Sequence, residues 1–147
     1  MKPGAWVLGL VLGAWVLLGC GGAARAPLTA EAVVASLRGS GLPVTEVREF
    51  TAESDPNKLL GRPGQYTLKV SWQDTRAAGE GQDATVEVFA TAEALAQRKA
   101  YTKAIADTGG FFAQYIETND GRLALLRLPH QLTPEQAKPY RDWLAAL

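Results

Sequence analysis

Tyr66, Leu68, Val70 and Trp72 alternate with Thr67, Lys69, Ser71 and Gln73, and this period of two constrains the fold more than any other stretch of the chain. Successive side chains of an extended strand point to opposite faces of its sheet. The run therefore reads as a strand with one apolar face in the core and one polar face in water. Asp74 to Asp83 is a polar turn containing Gly79 and Gly81, and Ala84 to Ala90 reads as the returning strand of a long hairpin. A second layer of helices would have to bury the polar face. The expected architecture is thus α+β, with two layers and helices on one face of a mostly antiparallel sheet.

The rest of the chain supplies the partners of that hairpin. Thr29 is a good N-cap, and Ala30, Val33, Val34 and Leu37 fall on one helical face before Gly39 or Gly41 stops the helix. Val44 to Thr51 reads as a first strand. Thr91 caps a helix running to about Asp107, on which Ala94, Tyr101 and Ile105 share an expected core face beside the stem of Arg98. Phe112 to Glu117 is a fourth strand. Asn119-Asp120-Gly121 is a turn, and Arg122 to Leu128 is a fifth strand, apolar on both faces and so placed inside the sheet. Thr133-Pro134-Glu135-Gln136 opens the last helix with a capping box and Pro at the first position. Pro139 is expected to kink that helix, because proline has no backbone donor. The order is α-β-β-β-α-β-β-α.

The start of the chain carries a different kind of information. Lys2 precedes an apolar run from Ala5 to Leu18, and Leu17-Leu18-Gly19-Cys20 closes it. A membrane-spanning helix needs about 20 apolar residues, and this run is shorter and contains Gly9 and Gly13. The segment resembles a bacterial lipoprotein signal with its lipobox. That resemblance implies cleavage between Gly19 and Cys20, and diacylglycerol on the Cys20 thiol. Residues 1–19 would then be a signal peptide, 20–28 the lipidated cysteine with a flexible tether, and 29–147 a globular domain. Fully extended, the tether from Gly21 to Pro27 spans about 25 Å. The expected location is the cell membrane or outer membrane, with the domain on the extracytoplasmic side. Gly21, where an Asp would mark inner-membrane retention, favours the outer one.

Composition narrows the functional classes. Cys20 is the only cysteine and His130 the only histidine. The expected domain therefore has no disulfide, and a structural zinc site cannot be assembled from the usual ligands. Lys and Arg together number 15, as do Asp and Glu, so there is no basic excess to bind nucleic acid. No nucleophile elbow, H-E-x-x-H or P-loop is present. We expect no enzyme and no cofactor. A hydrolase whose Ser, His and acid meet only in space is the least favoured alternative.

The segment Asp55-Pro56-Asn57-Lys58-Leu59-Leu60-Gly61-Arg62-Pro63-Gly64-Gln65-Tyr66 is the most individual stretch of the domain. As local architecture, Asp55 is an N-cap, Pro56 begins one helical turn, Gly61 ends it, and Arg62-Pro63-Gly64 turns into the next strand. As a binding loop, it offers Lys58 and Arg62, two cations suited to a carboxylate or phosphate partner. Asp74, Arg76, Glu80 and Asp83 at the hairpin tip read as a solvated turn. His130 reads as a surface loop residue, and one of Phe111 and Phe112 is expected to be exposed. Together with Val86-Glu87-Val88-Phe89 and Leu125-Leu126-Arg127-Leu128, the Asp55–Tyr66 stretch resembles a set of small bacterial lipoproteins to which no activity is attached. The expected function is that of a lipid-anchored envelope protein, a monomer and not an enzyme, whose domain binds another protein or an envelope component. The alternative is a lipoprotein that binds a small ligand or ion.

Overall fold

Threonine opens each of the three helices, and each time for the same reason. Its hydroxyl accepts a hydrogen bond from a backbone N–H that has no partner inside the helix. The computed structural model describes residues 26–77 and 83–147. Thr29 accepts from Ala32 N at 3.2 Å ahead of α1 (Ala30–Gly39), and Thr91 from Ala94 N at 3.2 Å ahead of α2 (Ala92–Ala106). Thr133 and Gln136 make a reciprocal capping box at the start of α3 (Pro134–Ala146). This last helix continues through Pro139.

Five strands complete the element order foreseen from the sequence. They are β1 (Val44–Glu49), β2 (Tyr66–Asp74), β3 (Ala84–Phe89), β4 (Gln114–Asn119) and β5 (Ala124–Pro129). The fold is α+β. The sheet order is β1-β2-β3-β5-β4, and every neighbouring pair is antiparallel. The fifth strand lies inside the sheet, as its two apolar faces require. The fourth begins later than expected, because Gly110–Phe112 forms a 3₁₀ turn ahead of it. Two bulges interrupt the register. In β1, Glu46 and Val47 lie between residues whose partners are separated by Trp72 alone, and Glu46 takes a left-handed φ of 49°. In β2, Thr67 is the extra residue, since Tyr66 pairs with Phe89 and Leu68 with Val88.

One face of the sheet is an ordinary apolar core. Leu68, Val70, Trp72, Val86, Leu126 and Leu128 meet Val33, Val34 and Leu37 of α1 and Ala137, Tyr140, Trp143 and Leu144 of α3. Trp72 stacks on Tyr140 with ring centres 5.9 Å apart and meets Trp143 edge-on at 5.7 Å. The helices were expected on this face alone, and for α2 that expectation is corrected. Ala94 and Leu95 of α2 pack with Tyr66, Phe89 and Leu125 in a second cluster on the opposite face. Helices therefore cover both sides, and the supposedly wet face of β2 is covered. Lys69 is 5% and Ser71 is 2% exposed.

Among the described residues no helix is long and apolar enough to cross a membrane. The expectations for Gly19, Cys20 and the first part of the tether lie outside the described residues, as does that for Glu80.

Candidate functional site

Antiparallel pairing sets Lys69 of β2 opposite Glu87 of β3, and both are buried, Glu87 completely. A buried charge persists only when it is paired and hydrogen-bonded. Each of these finds its partner outside the hairpin. The Lys69 ammonium donates to Asp55 Oδ1 at 2.8 Å. Asp55 is itself wholly buried. Its Oδ2 also accepts from the Tyr66 hydroxyl at 2.7 Å and from the backbone N–H groups of Leu59 and Leu60 at 2.9 and 3.1 Å. Thr67 as an inserted residue turns Tyr66 to the same side as Lys69, which makes the contact with Asp55 available. Burial alone would raise the Asp55 carboxyl, but the bonds from Lys69, Tyr66 and the two backbone donors outweigh it and hold the group well below the usual carboxylate range. Burial, and then the neighbouring Asp55 carboxylate, push the Tyr66 phenol up.

Glu87 is satisfied from the other direction. Arg98 of α2 grips it with two parallel bonds, Nε to Oε2 at 2.9 Å and Nη2 to Oε1 at 2.8 Å. Arg127 of β5 adds a third, from Nη2 to Oε1 at 3.1 Å. Burial would lower the Arg98 guanidinium, and the bonds to Glu87 more than offset this and raise it. Such a fork geometry fixes direction as well as distance, so it sets the rotation of α2 about its axis. The helix buries Ala94, Leu95, Arg98 and Thr102. Tyr101 and Ile105, expected in the core, are instead exposed. The expectation followed the apolar residues of α2; the helix follows its arginine.

The consequence is an open cleft between α2, the Asp55–Tyr66 loop and strands β4 and β5. One hollow of about 370 Å³ is lined by Leu59, Arg98, Tyr101, Ile105, Phe112 and Arg127, among others. A second, of about 290 Å³, continues from it along Leu59, Arg98 and Tyr101 toward Gly64 and Gln65. Phe111 and Phe112 are both exposed, at 58% and 55%, and stack edge-on at 5.6 Å. This is an unusual concentration of exposed large apolar side chains beside two arginines.

The residues singled out in the sequence fall mostly outside this arrangement. The loop from Asp55 contributes Asn57, Leu59, Gly64 and Gln65 to the cleft. Lys58 and Arg62 are exposed, and the Lys58 ammonium donates to the Glu53 carbonyl. The loop is a series of turns rather than a helical turn, with Lys58, Gly61 and Gly64 at positive φ. Asp74 is a correction. It is buried, not solvated, and accepts from the Tyr140 hydroxyl at 2.6 Å and from Arg76. Asp83, also from the hairpin turn, pairs with Arg48. His130 is exposed, and its Nδ1 lies 3.1 Å from the Ala113 carbonyl. Glu87, Arg98 and Arg127 were missed. Their trace in the sequence is the charge in the middle of three apolar runs, at Lys69, Glu87 and Arg127, together with Arg98 on the apolar stripe of α2.

Chemically, the arrangement holds two carboxylates and three cations, with each carboxylate locked by its partners. Among the described residues no group of three or more His, Cys, Asp or Glu stands where it could hold a metal ion. No protein family, no curated protein and no solved structure matches the chain.

Proposed function

We propose that this chain is a lipid-anchored protein of the bacterial cell envelope whose domain is a binding module, not an enzyme. It engages another envelope protein through the face formed by α2 and the 3₁₀ turn after it. The observation that carries this reading is the group of exposed Tyr101, Ile105, Phe111 and Phe112 beside Arg98 and Arg127. Soluble surfaces seldom gather large apolar side chains in one place without a partner for them, and aromatic residues with arginine are the types enriched where proteins meet. The single histidine meets a backbone carbonyl, which gives no support to a serine hydrolase. A cleft of about 370 Å³ is within the size range of small-ligand sites, and this favours ligand binding as the second reading.

The anchor and the binding face are tested together in living cells. Metabolic labelling with a fatty-acid analogue should mark the wild-type chain and not Cys20→Ser, whose hydroxyl is a poor acyl acceptor. A photo-crosslinking residue at position 101 should trap a discrete envelope protein, whereas one at Arg38 on α1 should not. Label on the Cys20→Ser protein would refute the anchor. Equal trapping from both positions would refute the face.

A further inference from the structure

The cleft beside α2 carries a charge imbalance that identifies what fits it. Two guanidiniums, Arg98 and Arg127, share one carboxylate, Glu87. Both charged residues that line the cleft are these arginines, while Glu87 lies wholly buried behind them. Arg127 Nε is buried and has no hydrogen-bond partner, and a buried donor left in that state is costly unless something satisfies it. Arg98 is held at 9% exposure, with its fork already oriented by Glu87. The apolar part of the wall around them is Leu59, Tyr101, Ile105 and Phe112, with Asn57, Thr102 and Gln114 completing it. The complementary ligand has one carboxylate set directly beside apolar groups.

The fold also places this cleft away from Ala26, the first described residue. Ala26 is tied to Arg122 by a 3.0 Å hydrogen bond to its carbonyl, just before β5 begins. Phe112 lies two residues ahead of Gln114, which pairs with Pro129 at the opposite end of β5. The helix bearing Tyr101 and Ile105 likewise starts after Phe89, whose backbone N–H bonds the Leu123 carbonyl, and runs 15 residues, or about 22 Å, toward Phe111.

We propose that the α2 cleft docks an extended segment of a partner protein that presents an aspartate or glutamate flanked by apolar residues, the carboxylate meeting Arg98 and Arg127 and the neighbours meeting Tyr101, Ile105 and Phe112. This rests on the binding-module reading and specifies its partner. The test is selection of a random dodecapeptide display library on the full chain in lipid nanodiscs, with empty nanodiscs as the subtraction. Recovered peptides should be enriched in an acidic residue next to leucine or aromatic residues. Phe112→Ser, at an exposed position, should weaken their binding roughly tenfold or more, and Arg127→Met should remove the preference for an acid while keeping that for the apolar neighbours. Phe112→Ser keeps the test decisive even if Arg127→Met does not fold. Selected peptides that are basic, or that bind Phe112→Ser as well as wild type, overturn the proposal. So does no recovery above empty nanodiscs. Sedimentation in detergent covers a second occupant, since a dimer dissociated by Phe112→Ser would assign the face to another copy of this chain. Fatty-acid labelling that fails at Cys20 while the peptides still bind would remove the anchor and leave the cleft standing.

Discussion

The two faces of one sheet solve the same problem by different physics. Under α1 and α3, Trp72, Val86, Leu126 and Leu128 are covered by other apolar side chains, and shape is what matters. On the face that α2 covers, the residues one place along the same strands include Lys69, Glu87 and Arg127, whose charges are paired with Asp55 and Arg98 or with each other. Apolar packing tolerates sliding and repacking, whereas a two-pronged arginine–carboxylate contact fixes one orientation. The charged face thus places α2 in one rotation at the expense of burying ions, and that rotation is what leaves Tyr101 and Ile105 outside.

The sharpest way to break this contrast is Glu87→Ala. It strands Arg98 in a buried position without a counter-charge, and should cost about 3–5 kcal/mol in denaturant unfolding. The combined change Glu87→Leu with Arg98→Met and Arg127→Met, which removes both cations that Glu87 serves, should recover most of that stability, and a triple variant as unstable as Glu87→Ala would show that the charge cluster is not the cause. On the other face, Leu126→Ala should cost about 3 kcal/mol through its cavity, with no dependence on pH. Acid should act on both faces, through one buried carboxylate on each. The folded Asp55 carboxyl lies below its ordinary value of 3.8, so its contribution is complete above that pH and is lost as the pH falls below it toward the folded value. Asp74, similarly lowered because the bonds from Arg76 and Tyr140 outweigh burial, does the same on the α3 face. Unfolding midpoints measured between pH 6 and 2.5 should fall steeply for wild type and less so for Asp55→Asn, from its lower starting point. Parallel curves would contradict the assignment. The smallest effect belongs to Lys58→Ala with Arg62→Ala. Both residues are exposed, and the unfolding midpoint should not move measurably.

How much of this was legible in the sequence follows from the same contrast. The alternation from Tyr66 to Gln73 located β2, the three threonine caps located the helices, and the apolar run at Leu123–Leu126 placed β5 inside the sheet. Alternation, however, sorts residues onto faces without saying what lies over each face. Lys69 looked wet because its counter-charge, Asp55, is 14 residues away and separated by turns. Arg98 looked like a stem beside a core stripe because Glu87 belongs to a different element. Asp55 reads as the cap of a helical turn; no such turn forms, and its carboxylate instead accepts from the backbone of Leu59 and Leu60. Its second role with Lys69 and Tyr66 depended on the bulge at Thr67, which a pattern of strict period two does not contain.

The other bulge, at Glu46 and Val47, bears on how such a sheet avoids its own kind. An outermost strand offers a row of unpaired amides and carbonyls on which a neighbouring chain can add a strand. The extra residue in β1 breaks the even spacing of that row, and Glu46, Arg48 and Glu49 stand exposed along it. A strand laid alongside would meet mismatched donors and acceptors and a set of charges, so growth of the sheet into a fibril has no straight template to start from on that side.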